Sequence, residues 1–226
     1  LPKNQARHQS WQVSTLAATK HHQASSEAFF TPTNRGTMAY KIITQPTVEP
    51  VTLAYVKSRS RIDGTEYDDV IPSLIVEARE IAEQKTRCAL CSQVWELYLD
   101  AFPEAFELRP SPVINVVSIK YLDTDGNEQT LDPQDTILDN KSNVTPGYIT
   151  PAYGKAWPDT YPVPNAVTVR FTAGYGNADS VPQSAKEWIV VHVQTSLESS
   201  GTFVKGSVSA IPNRFIDSKL DGLFVP

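Results

Sequence analysis

The chain has 226 residues, 40% of them hydrophobic and 20% charged, with a formal net charge of −5. A core of ordinary size is within reach of that composition. No run of eighteen apolar residues occurs, which excludes a membrane-spanning helix, and two cysteines are too few for a disulfide framework.

Seventeen prolines against ten glycines point to short strands and ordered loops rather than a helical bundle. Residues 1–37 show neither period-two nor helical apolar spacing, and no apolar stretch of signal-peptide type opens them. They carry a net charge of +3 within the total of −5, which leaves −8 on residues 38–226. Met38 is the only methionine. Residues 1–37 therefore read as a disordered leader, with Met38 the expected start. Four scattered cations lack the clustering of a basic nucleic-acid arm. His21 and His22 have no third ligand at a useful spacing.

The stretch "MAYKIITQPTVEPV" is extended. "TLAYVKSRSRID" reads as a short helix capped by Thr52, with Leu53, Val56 and Ile62 inward. A long helix follows, from a cap at Asp63 or Thr65 to about Arg87. Tyr67, Val70, Ile71, Leu74, Ile75, Ala78, Ile81 and Ala82 form its apolar face. From Gln93 the period becomes two, with Trp95, Leu97 and Leu99 on one side. "AFELRP" is a short strand, and "VINVVSIKYLDTDGNEQTL" is a hairpin turning at D-T-D-G-N. "TILDN", "GYITPAYG" and "NAVTVRFTAGYG" are further strands. "SVPQSAKEWIVVHVQTSLESS" is a second long helix, capped by Ser180, with Ala185, Trp188, Ile189, His192, Val193 and Leu197 in one stripe. Residues 201–226 read as an extended tail.

Helices segregated from consecutive strands define an α+β fold. Two N-terminal helices and one long C-terminal helix form a small bundle packed with a small antiparallel sheet. The domain spans 38–200, between the leader 1–37 and the tail 201–226.

The chemical candidates are few. Cys88 and Cys91 are spaced as C-x-x-C. A redox pair of that spacing stands at a helix N-terminus, where the dipole lowers thiol pKa; this pair follows a helix, where the dipole raises it. A zinc site needs two more ligands, and His192 is the only histidine after residue 37. The pair reads as structural. "GYGNAD" places Asp179 at the third glycine position of a phosphate loop, where it would repel an anion. "DTDGNE" lacks the twelfth-position glutamate of a calcium loop and reads as a hairpin turn. No serine has a G-x-S-x-G context. Nothing supports a catalytic residue, a metal or a cofactor, and an acidic domain without a basic stripe does not suit sequence-specific nucleic-acid binding.

The succession "VTLAYVKSRSRID", "DDVIPSLIVEAREIAEQKTRCAL", "QVWELYLDAFP", "VINVVSIKYLDTDGNEQTLD" and "PNAVTVRFTAGYG" resembles the head–tail connector (adaptor) family of tailed bacteriophages and prophages. The resemblance covers about residues 48–200. That family commonly reads T-G-R-A-L where this chain has Thr86-Arg87-Cys88-Ala89-Leu90, so a cysteine stands at a position that is not a ligand.

The resemblance implies a non-enzymatic virion protein without cofactor, at the head–tail interface after assembly in the host cytoplasm. It implies a roughly twelve-fold homo-oligomeric ring that joins the portal protein to a tail or stopper protein and extends the DNA channel. DNA would pass without sequence-specific binding, and no membrane is involved. On this reading Phe203, Ile211, Phe215, Leu220 and Phe224 are candidate anchors on the portal or a neighbouring subunit, and Glu77, Glu80 and Glu83 a candidate channel-facing or intersubunit acidic surface. The competing reading is a monomeric, non-enzymatic binding module of a prophage with no portal role.

Overall fold

A computed structural model describes residues 38–143, 145–200 and 216–223. Among these residues three α-helices and eight strands follow in the order β1 (Ala39–Thr44), α1 (Leu53–Ser60), α2 (Ile71–Thr86), β2 (Gln93–Leu99), β3 (Phe106–Leu108), β4 (Val113–Leu122), β5 (Glu128–Leu131), β6 (Thr136–Asp139), β7 (Gly147–Pro151), β8 (Val167–Ala173) and α3 (Gln183–Ser200). The fold is α+β. Its β part is two antiparallel sheets, five strands in the order β1-β2-β8-β4-β5 and three in the order β3-β7-β6.

Two apolar clusters hold the fold together. In one, Ile71, Ile75, Ala78 and Ala82 of α2 meet Ala185, Trp188, Ile189 and Val193 of α3, with Val56 of α1 beside them. In the other, Leu97 and Leu99 of β2 and Val167, Val169 and Phe171 of β8 close on Phe106, Leu108 and Ile149 of the smaller sheet. Strand β8 thus buries alternate residues, as in a sheet covered on one face.

The structure corrects four local expectations. The long helix begins at Ile71, not near Asp63, with Val70 as a cap residue that makes no side-chain cap bond. Pro72 explains the late start. It has no N–H, which costs nothing in a first turn but would break a ladder running back to Asp63. Residues before Ile71 form hydrogen-bonded turns (Asp68 N to Thr65 O, 3.2 Å; Val70 N to Tyr67 O, 3.0 Å), and Tyr67 and Val70 are exposed. Ser180 does not cap α3. It lies in a single 3-10 turn, Ala178–Ser180, that Asn177 caps, and its Oγ bonds to Asn177 Oδ1 at 2.9 Å.

Strand β4 does not alternate strictly. Its pairing with β8 shifts between Val113 and Asn115 and again between Val116 and Ser118. Val113, Val116 and Ile119 face inward at three-residue steps, so Ile114 and Val117 are turned outward. Finally, the tail is not wholly extended. Residues 216–223 form a turn and the 3-10 helix Asp221–Leu223, and they close the helical cluster through Leu220 and Leu223.

Thr52 caps α1 as expected, its side chain accepting from Tyr55 N at 3.1 Å, and α2 ends at Arg87 as expected, in the left-handed region at φ 58°.

Candidate functional site

The candidate surfaces are formed by the described residues. Among them no group of three or more His, Cys, Asp or Glu is placed to hold a metal ion, and no helix is long and apolar enough to cross a membrane.

The acidic set proposed on α2 divides. Glu77 and Glu80 are exposed. Glu83 is not part of that surface: its side chain is 15% exposed and turned inward. One oxygen of Glu83 receives Arg79 Nη1 at 2.9 Å. The other receives the Leu90 N–H at 2.8 Å and Gln93 Nε2 at 2.6 Å. Arg79, 3% exposed, also gives Nε to Glu49 at 2.8 Å. Gln93 Oε1 in turn accepts from Trp95 Nε1 at 3.2 Å. Spacing explains the mistake. Three-residue steps on a helix lose about 60° each, so Glu83 lies about 120° round from Glu77, towards the buried side.

This chain of bonds runs from the segment before α1, through α2, into β2, and so locks the helical layer to the sheet. Above it opens a cleft of about 410 Å³ lined by Tyr40, Ile42, Glu80, Gln84, Arg87 and Trp95 among others.

Cys88 and Cys91 are buried free thiols in the link between α2 and β2. Burial pushes each thiol up to about 11. Cys88 Sγ donates to Leu223 O at 3.0 Å, so the pair supports packing. Across from Cys91, Gly174 adopts φ +125°, and a Cβ there would lie 2.3 Å from the Cys91 carbonyl oxygen. Close backbone approach is therefore the reason for the glycine in "AGYG". The "DTDGN" turn likewise closes on itself: Asp123 Oδ1 accepts from the backbone of Asp125 and Asn127 at 3.0 and 2.9 Å.

Raised thiol pKa values are stability statements. The folded thiols stay neutral while the unfolded ones ionise, so their contribution is whole below the ordinary value of 9.0 and is lost as pH rises towards about 11. Alkaline titration followed by circular dichroism should show stability falling across that interval. Replacing both cysteines by alanine should flatten the fall, and an unchanged slope would contradict the assignment.

The proposed docking anchors separate as well. Phe203, Ile211, Phe215 and Phe224 lie outside the described residues. Leu220 is 4% exposed and packs in the chain's own helical cluster, so it is an internal anchor rather than a docking residue. Asp217 fixes this segment: it pairs with Lys85 Nζ at 3.0 Å and accepts from Trp188 Nε1 at 3.2 Å. The Lys85 hydrogen bond, with help from Trp188, holds its carboxyl below the ordinary range. That contribution is present above the unfolded carboxyl's pKa of about 3.9 and is lost as pH falls through the folded value. Acidification should therefore loosen 216–223. Hydrogen exchange at Leu220 and Leu223 should speed up at low pH, and at neutral pH in Asp217→Asn. Equal protection in the variant and the parent would refute the anchoring.

The outer face of the five-stranded sheet belongs to neither cluster. Lys41, Glu96, Arg170 and Ser118 stand abreast on it. Glu96, almost fully buried, receives Arg170 Nε at 2.9 Å and also bonds to Tyr98. The exposed Ile43, Ile114 and Val117 stand at the register shifts of β1 and β4.

No family profile and no curated protein matches the sequence. The fold does have solved counterparts. It is similar to a chain in the neck of an empty GTA particle computed with C6 symmetry, with a TM-score of 0.66 and 20% identity, over 83% of this chain and 96% of that one. A chain of the virion of a native gene transfer agent (GTA) particle matches with a TM-score of 0.66 and 20% identity, over 83% of this chain and 95% of the other. A chain in the neck of a native GTA particle computed with C12 symmetry matches at 0.62 and 19%, over 83% and 96%. At these identities the likeness establishes a shared fold.

Proposed function

We propose that this chain is a structural protein of the head–tail neck of a phage-like particle. It forms a ring of about twelve copies that joins the capsid portal to the tail and extends the channel for DNA. The observation that carries this reading is the fold match over 83% of the chain to proteins of GTA necks and virions. The order of sequence motifs shared with phage connectors supports it independently.

The physical features suit the role. The chain offers exposed surfaces of two characters, acidic on α2 and mixed apolar and basic on the sheet. A net of −8 on residues 38–226 suits a passage from which DNA must not be held back. The proposed work is assembly, and it requires neither catalysis nor a cofactor. Its partners are further copies of itself, the portal above and a tail or stopper protein below. Its place is the virion, after assembly in the host cytoplasm.

Gold-labelled antibody against the folded chain tests the location in purified particles. Label at the single vertex where head meets tail is expected. Label spread over the shell or along the tail would contradict the proposal.

A further inference from the structure

The ring reading requires two different surfaces that fit each other, because head-to-tail contacts close into a ring whereas a self-complementary patch stops at a dimer. The chain carries two exposed patches of opposite character.

The first lies on the outer face of the five-stranded sheet. Ile43, Ile114 and Val117, each between 40% and 50% exposed, stand at the three register shifts of β1 and β4. Bulges re-aim side chains, and here three β-branched apolar ones are turned to solvent. They lie towards one end of the sheet, where pairing sets Thr44, Val94, Thr172 and Asn115 in one row. The cations of this face are Lys41, Lys120 and Arg170, against the carboxylates Glu96 and Glu128, so it is positive on an acidic chain.

The second patch runs along α2. Tyr67 and Val70, both 45% exposed, begin it, and Ser73, Glu77 and Glu80 continue it at three- and four-residue steps. Glu66 and Asp69 add to its negative charge. Glu80 lines the cleft with Tyr40, Ile42 and Trp95, which lie on the inner side of β1 and β2. The stripe is therefore on the opposite side of the sheet from the first patch, and the two look away from each other.

We infer that these patches are the two halves of one subunit interface. The outer sheet face of one copy, through Ile43, Ile114, Val117 and Lys41, seats on the α2 stripe of the next, through Tyr67, Val70, Glu77 and Glu80. Apolar exposure on both, with opposite charge around it, marks a second copy of this chain as the occupant. The inference rests on the ring reading and adds which faces make the ring.

Two single variants and their mixture test it. Val117→Asp places an acid on the sheet patch, and Val70→Lys places a cation on the helix stripe. Both positions are exposed, and thermal melts should show folds as stable as the parent. By native mass spectrometry over a concentration series the parent should form closed rings and each variant should remain monomeric. An equimolar mixture should assemble again, because Val70→Lys keeps an intact sheet patch for the intact helix stripe of Val117→Asp, and at the alternate contacts the new acid meets the new cation. Rings undiminished in either variant would overturn the assignment of faces and leave the ring standing. Monomeric variants whose mixture stays monomeric would show that the patches are not each other's partner. A parent that is monomeric at every concentration, alone and with the portal protein of the same particle, would remove the ring and this interface together.

Discussion

Arg79→Ala is expected to lower stability by about 3–5 kcal/mol, the usual result of removing one partner from a buried ion pair. The guanidinium is 3% exposed and is bound by Glu49 and Glu83. Taking it away leaves Glu83 facing the interior with only the Leu90 N–H and Gln93 amide as donors. It also unties the bond that carries the segment before α1 to α2. The double variant Arg79→Met, Glu83→Gln removes both charges, keeps much of the volume, and should recover a large part of the loss. Urea unfolding of the parent, Arg79→Met, Glu83→Gln and the double variant measures this. Additive losses would mean that the two residues do not act as a pair.

Trp188→Ala should cost a similar amount, about 3–5 kcal/mol, through the cavity left by a large core side chain. Trp188 is 1% exposed, stacks on His192 with ring centroids 5.0 Å apart, and donates to Asp217. Its loss removes packing from α3 and also one of the bonds that fix 216–223. The variant should therefore show a second effect that an ordinary cavity would not. Cys88, which donates to Leu223 O, should become more accessible to a thiol reagent well below the unfolding midpoint. A destabilised variant whose Cys88 is as protected as the parent's would separate the core from the C-terminal segment and refute their coupling.

Much of this architecture is legible in the sequence because it follows single periods. The apolar spacing of α3 and the middle of α2, the alternation of β2 and β8, and the D-T-D-G-N hairpin each express one local rule. What is not legible depends on contacts far apart in the chain. The double shift in β4 uses the same valines and isoleucines as a regular strand, so composition conceals that Val117 faces out. Leu220 looks like an apolar residue of an extended tail until Trp188, 32 positions earlier, supplies the surface it covers. Glu83 looks like its neighbours Glu77 and Glu80 unless the helical angle is followed round to Arg79. One signal was available there: Arg79 follows Ala78 on the inward side of α2, where a cation needs a buried partner.

The fold of the neck proteins and the two opposed patches bear on one question, whether copies of this chain close into a ring beneath a portal. The most direct measurement is the native mass of residues 38–226, alone and mixed with the portal protein of the same particle. The account predicts a closed ring, or a portal complex carrying about one copy of this chain per portal subunit. A monomer that ignores the portal would contradict it and leave a plain binding module as the better description.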